Sequence, residues 1–133
     1  MNITVIGCGR WGTFIAWYLD SIGHNVKLYG KSNAPQMQEL LQTRKNNLIS
    51  LSDSMTLTTS LDDALSDAET IIVSIGSQAL RGLLEEIKPY EIKNQTFVLC
   101  MKGIETGTGR RLSEIAEENL DPSCRVAVWI GPG

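Results

Sequence analysis

Six short runs rich in β-branched residues recur along the 133-residue chain, and the segments between them have helical periodicity. The runs are ITVIG at 3–7, NVKLY at 25–29, MTLTT at 55–59, TIIVSI at 70–75, TFVLC at 96–100 and RVAVWI at 125–130; their composition is that of strands. Helices are expected over 10–22, 35–42, 61–66, 78–88 and 109–120. In the first, Trp11, Ile15, Tyr18, Leu19 and Ile22 recur at helical spacing before Gly23, which reads as an apolar stripe facing the core. The fourth carries Ala79, Leu80, Leu83, Leu84 and Ile87 ahead of Pro89; the fifth carries Leu112, Ile115, Ala116 and Leu120 ahead of Pro122. Strand and helix in strict alternation, with strands that are nearly continuous apolar runs, require right-handed crossovers and a parallel sheet buried on both faces. The expected fold is a doubly wound α/β domain of about six strands, and the length admits one such core, over 1–133.

Where the first strand meets the first helix, the chain reads GCGRWG, placing Gly7, Gly9 and Gly12 at GxGxxG spacing. Gly7 permits the tight turn, Gly9 lets the backbone approach a pyrophosphate, and Gly12 lets helix and strand pack closely. The helix N-terminus then offers free N–H groups to phosphate. Strand, loop and helix all fall where this fingerprint needs them, so the doubly wound sheet is expected to be of the Rossmann type, with a dinucleotide as its ligand.

Charge supports a small anionic ligand and disfavours larger polyanions. The net charge is −3 at pH 7, which disfavours nucleic acid and anionic membrane as general partners. Residues 1–50 carry five Lys/Arg against two Asp/Glu, whereas residues 51–133 carry seven against 13; an anion would favour the first part. Cys8, Cys100 and Cys124 are odd in number and widely spaced, so neither a disulfide framework nor a metal site is expected. No apolar run approaches the ~18 residues of a membrane span, and no signal peptide is visible, which makes the cytoplasm the expected location.

NAD-selective sites place an Asp or Glu at the end of the second strand, where it accepts from the ribose 2′-hydroxyl. Here that strand ends Leu28, Tyr29, Gly30, Lys31, Ser32, Asn33. A cation and a hydroxyl suit a 2′-phosphate, so NADP(H) is the expected cofactor, with NAD(H) possible as a second. The missing acid also argues against a methyltransferase that holds S-adenosylmethionine by its ribose. Three segments reach the ligand edge of such a sheet: SIGSQ at 74–78, MKGIETGTG at 101–109 and GPG at 131–133. Lys102 is their only cation; it can hydrogen-bond a substrate oxygen and offset charge as hydride moves, and it reads equally as a solvent-exposed helix-cap lysine. His24, the only histidine, lies on the opposite edge. Trp11 falls on the apolar stripe and reads equally as core packing; Cys8 reads as a space-filler and Arg110 and Arg111 as a solvated start to the fifth helix.

Taken together, GCGRWGT, VSIGSQALRGLL, KGIETGTGRRLSEI and the closing GPG resemble the NAD(P)-dependent glycerol-3-phosphate dehydrogenase family over essentially the whole chain. The resemblance implies interconversion of sn-glycerol 3-phosphate and dihydroxyacetone phosphate, supplying glycerol phosphate for phospholipids. It implies that Gly7, Gly9, Arg10, Trp11 and Gly12 meet the cofactor, with Lys31 and Ser32 near the adenosine ribose. Lys102 would touch both cofactor and substrate, acting as the catalytic residue, and Gly131 and Gly133 would line the substrate pocket. Gly133 stands where the family has Ser or Thr, Gly76 where it has proline, and Arg10 where a small residue is common. The family continues into a helical domain, so the chain is expected to be the N-terminal part of a longer protein, inactive alone and a homodimer at full length. A stand-alone non-catalytic dinucleotide-binding or redox-sensing module and another 6-phosphogluconate-dehydrogenase-like NADP-dependent enzyme are the alternatives.

Overall fold

The structure, a computed structural model, describes residues 1–129. Six strands, β1 (Asn2–Ile6), β2 (Asn25–Tyr29), β3 (Thr56–Thr58), β4 (Thr70–Val73), β5 (Thr96–Leu99) and β6 (Arg125–Val128), form one sheet. Their order is β3-β2-β1-β4-β5-β6 and every pairing is parallel. Five helices connect them: α1 (Arg10–Ser21), α2 (Pro35–Thr43), α3 (Leu61–Leu65), α4 (Leu80–Ile87) and α5 (Leu112–Asn119). The order reverses between β1 and β4, and the crevice for a ligand opens there, beyond the carboxyl ends of the strands.

Each strand feeds two cores, because successive side chains point to opposite faces. On one face Ile71 and Val73 of β4 and Phe97 and Leu99 of β5 pack against α3, α4 and α5 through Ala64, Leu80, Leu84, Ile87, Ile115 and Ala116. On the other, Ile3 and Val5 of β1, Leu28 of β2 and Ile72 of β4 pack against Ile15 and Ala16 of α1 and Leu40 of α2. Thr4 points into the first face, and its buried hydroxyl donates to the Ala64 carbonyl at 2.5 Å, which satisfies the polar atom and fastens α3 to β1.

The helices differ from the sequence expectation in three places. In α1 the buried residues are Gly12, Thr13, Ile15 and Ala16, while Trp11, Tyr18 and Ile22 are exposed. Gly12 and Ala16 let the helix approach the sheet, Ile15 enters the core and Leu19 packs at its edge, while Trp11, Tyr18 and Ile22 turn outward, so Trp11 is not core packing. The segment 78–88 is a short 3₁₀ turn at Ser77–Ala79 followed by α4. The fifth helix begins at Leu112 and not at 109, because Gly109 has a positive φ and Ile104 and Arg111 form an antiparallel bridge.

Phe97 is fully buried where α4, α5 and the sheet meet. Phe97→Ala is expected to lower stability by about 3–5 kcal/mol, read as a reduced urea midpoint with the m-value little changed.

Candidate functional site

The loop from Gly7 to Gly12 is held by contacts that only glycine allows. Gly7 has φ +124°, and a Cβ there would lie 1.9 Å from the Ser74 carbonyl oxygen of the next strand. A Cβ on Gly12 would lie 2.1 Å from the Gly7 carbonyl oxygen. Gly7 N–H donates to the Tyr29 carbonyl at 2.9 Å, and the Thr13 hydroxyl, fully buried, donates to the Cys8 carbonyl at 3.0 Å. Gly9 is different: nothing lies within 4 Å of where its Cβ would stand. It is the N-cap of α1 without a side-chain cap, and the first turn of the helix holds no acid. The N–H groups of that turn therefore face the open side of Gly9 without a carboxylate in competition, an arrangement that suits phosphate.

A cleft of about 630 Å³ opens beside this loop. Gly7, Cys8 and Gly9 form one wall; Tyr29, Gly30, Lys31, Asn33 and Ala34 form the second. The third runs from Ser74 to Gly76 and along Ala79, Gly82, Leu83 and Glu86. Its inner surface is largely apolar, which suits a planar base. Cys8 is half-buried, and burial holds its thiol above the ordinary value, with the backbone bond opposing it. Its Sγ would be 2.6 Å from a Cβ on Gly30, so the protonated side chain fills space between the two walls. The Tyr29 phenol is also raised, first by burial, then by the charge of Glu86, with Tyr90 adding to it.

A second loop, 101–111, follows β5 and is tied to the start of α4. Gly103, Gly107 and Gly109 all have positive φ, and the turn closes through Glu105 N–H to the Arg110 carbonyl at 2.8 Å. Gln78 bridges to it twice: its Nε2 donates to the Ile104 carbonyl at 3.1 Å, and its Oε1 accepts from Thr106 N–H at 2.7 Å. Arg81 makes a two-pronged contact with Glu105, Nε to Oε2 at 2.8 Å and Nη2 to Oε1 at 3.0 Å. The Thr108 hydroxyl adds a third donor at 2.6 Å. Arg81 foremost and Thr108 next hold the Glu105 carboxyl down to about 2. Lys102 stands in this braced loop, exposed and in no salt bridge among the described residues.

Compared with known proteins, residues 2–133 match the family model described as NAD-dependent glycerol-3-phosphate dehydrogenase N-terminus. The chain belongs to this family. It is 36% identical over 98% of its length to a glycerol-3-phosphate dehydrogenase [NAD(P)+] of Bacillus mycoides, covering 40% of that protein. It is equally similar, at 36% over 99%, to that of Thermoanaerobacter sp., again covering 40%. The chain thus spans about two fifths of the length of these relatives. Among solved structures, glycerol-3-phosphate dehydrogenase from Coxiella burnetii superposes with a TM-score of 0.84 at 22% identity, covering 96% of this chain and 39% of that one. The Saccharomyces cerevisiae enzyme follows at 0.75 and 25% identity, covering 95% and 41%.

Of the residues singled out from sequence, Gly7, Gly9 and Lys31 line the cleft. Gly12 supports the loop from behind, and Arg10 begins α1 with its side chain exposed. Trp11 is 45% exposed and stacks on Phe14 with ring centroids 5.7 Å apart; it is not on the cleft wall. Ser32 is exposed beside the cleft, its carbonyl accepting from Gln38, and Asn33 lines the wall instead. Gly131 and Gly133 lie outside the described residues. Arg110 and Arg111 are exposed, as a solvated start to the fifth helix requires, and both pair with Glu114 on that surface. Gln78, Arg81, Glu105 and Glu86 were given no role from sequence; Arg81 and Glu105 stood inside quoted motifs, but their pairing spans 24 positions.

Two outcomes follow from this geometry. Gly12→Ala is expected to cost about 1–3 kcal/mol by overpacking against backbone, whereas Gly9→Ala, facing open space, changes stability by less than about 1 kcal/mol; chemical denaturation measures both. Glu105 has a folded pKa below its ordinary 4.5, so its contribution is full above that value and is lost as pH falls toward about 2. The stability gap between the native chain and Glu105→Gln should therefore be widest at neutral pH and close across that acid window. A gap that stays constant down to pH 3 would contradict the assignment.

Proposed function

We propose that residues 1–133 form the cofactor domain of an NAD(P)-dependent glycerol-3-phosphate dehydrogenase that interconverts sn-glycerol 3-phosphate and dihydroxyacetone phosphate. The observation that carries the reading is the uncapped start of α1 facing the open side of Gly9 at the mouth of the cleft. The glycine loop and the α1 N-terminus would hold the pyrophosphate, and the apolar cleft between the end of β2 and α4 would hold the adenosine. Lys31 would face the ribose 2′ position, which is the basis for proposing NADP(H) as the preferred cofactor and NAD(H) as the second. Bound NAD(P)H supplies or accepts the hydride.

Lys102 is assigned the task of the protein near the substrate: its ammonium hydrogen-bonds the oxygen on the carbon that changes oxidation state and offsets the charge developing there. The loop bracing by Gln78, Arg81 and Glu105 supports that task, because a positioned cation assists only if its backbone does not wander. Gly131 is assigned to the glycerol-phosphate pocket together with Gly133, which offers no hydroxyl there. The relatives are longer than this chain, and the rest of the substrate site is assigned to the region they carry beyond it. We place the full-length enzyme in the cytoplasm as a homodimer serving phospholipid precursor synthesis; no described helix is long and apolar enough to cross a membrane.

Thermal-shift titration tests the reading. NADPH at ~100 times its dissociation constant stabilises the chain by ~2.7 kcal/mol. Gly9→Ala, with its methyl in the phosphate space, removes most of that gain without lowering the melting temperature of the free chain. No shift with either nucleotide, or an undiminished shift in Gly9→Ala, contradicts the proposal. The 133 residues alone should not reduce dihydroxyacetone phosphate; measurable turnover would overturn the division of labour.

A further inference from the structure

One cation and one anion line the cleft, and they face each other. Lys31 follows β2 and Glu86 lies near the end of α4, with Nζ and Oε1 3.8 Å apart. Their side chains are 66% and 47% exposed, so the pair adds little to stability. Nor does α4 need it for anchorage, since Leu80, Leu83, Leu84 and Ile87 are all buried. The pair is instead at the place where the adenosine ribose of a dinucleotide would lie, directly after Tyr29 and Gly30 at the end of β2. The strand lacks the acid that holds a 2′-hydroxyl in NAD-selective sites. Glu86 brings a carboxylate to the same cleft from the opposite wall, 55 residues later in the chain. Its charge is felt by the cleft lining, where it helps to raise the Tyr29 phenol.

We infer that Glu86 limits the NADP(H) preference of this cleft: its carboxylate accepts from an unphosphorylated ribose and opposes a 2′-phosphate by charge and by its hold on Lys31. This deepens the dinucleotide reading above and rests on it. The two residues pull in opposite directions. Lys31 attracts the 2′-phosphate and Glu86 repels it, which leaves the native chain with a small preference and makes each residue a separate control on it. Specificity here is a difference between two affinities, so removing the repulsive member strengthens discrimination without adding a contact.

The test measures dissociation constants of NADPH and NADH for the native chain, Glu86→Gln and Lys31→Gln by nucleotide fluorescence titration, alongside melting temperatures without nucleotide. Glu86→Gln should tighten NADPH by about three- to tenfold while NADH is unchanged or weaker. Lys31→Gln should weaken NADPH by a similar factor and leave NADH nearly unchanged. Both variants should melt as the native chain does, and added salt should shrink the difference between them. If both nucleotides bind the native chain and Glu86→Gln leaves their ratio where it was, the role of Glu86 is wrong and the dinucleotide reading stands. If neither nucleotide binds the native chain, that reading fails and this one with it.

Discussion

The cleft depends on how closely α1 begins against the backbone of β1 and the end of β4. A side chain at Gly7 would run into the Ser74 carbonyl, and one at Gly12 would run into the carbonyl of Gly7 itself. With both side chains absent, the helix starts beside the strand end, its first N–H groups are uncapped, and the space beyond Gly9 stays open. An anion held there meets oriented dipoles in place of water, which is the physical basis of phosphate recognition at a helix start. The parallel sheet makes the arrangement possible, since the reversal of strand order between β1 and β4 leaves the crevice uncovered.

Around that point the three walls take different tasks. The glycine loop offers backbone donors, the end of β2 and the start of α4 offer an apolar slot, and Lys31 and Glu86 provide the two charges on its lining. The loop after β5 stands apart from the slot and is stiffened by side chains from the α4 side. Arg81 and Gln78 between them make four hydrogen bonds to it. The cleft wall and the loop after β5 are thus joined through one helix and the turn before it, so disturbance of α4 should be felt in both.

Much of the fold was legible because strands buried on both faces must be written in β-branched and apolar residues. The six runs lie at the observed strands, and GCGRWG marks the turn between β1 and α1. What misled was size. Trp11, Tyr18 and Ile22 have the spacing of a buried stripe, yet only Ile15 of that stripe is buried; the rest of the sheet face of α1 is taken by Gly12, Thr13 and Ala16, because close approach leaves no room there for bulky side chains. The start of α5 was misplaced because a β-bridge between Ile104 and Arg111 competes with the helix for the same backbone. In the candidate site, Lys31 was visible as a strand-end residue, a position fixed by local pattern. Glu86 and the Arg81–Glu105 pair were not, since they meet their partners only through the packing of α4 against the sheet.

Amide chemical-shift mapping on the 15N-labelled chain during NADPH titration tests the central claim most directly. The account predicts the largest shifts at Gly7–Thr13, at residues 30–34 and at the Gly76 and Gly82 amides, with residues 91–93 and 118–121 unaffected. Shifts centred on that second region, or none at the glycine loop at saturating nucleotide, would contradict it.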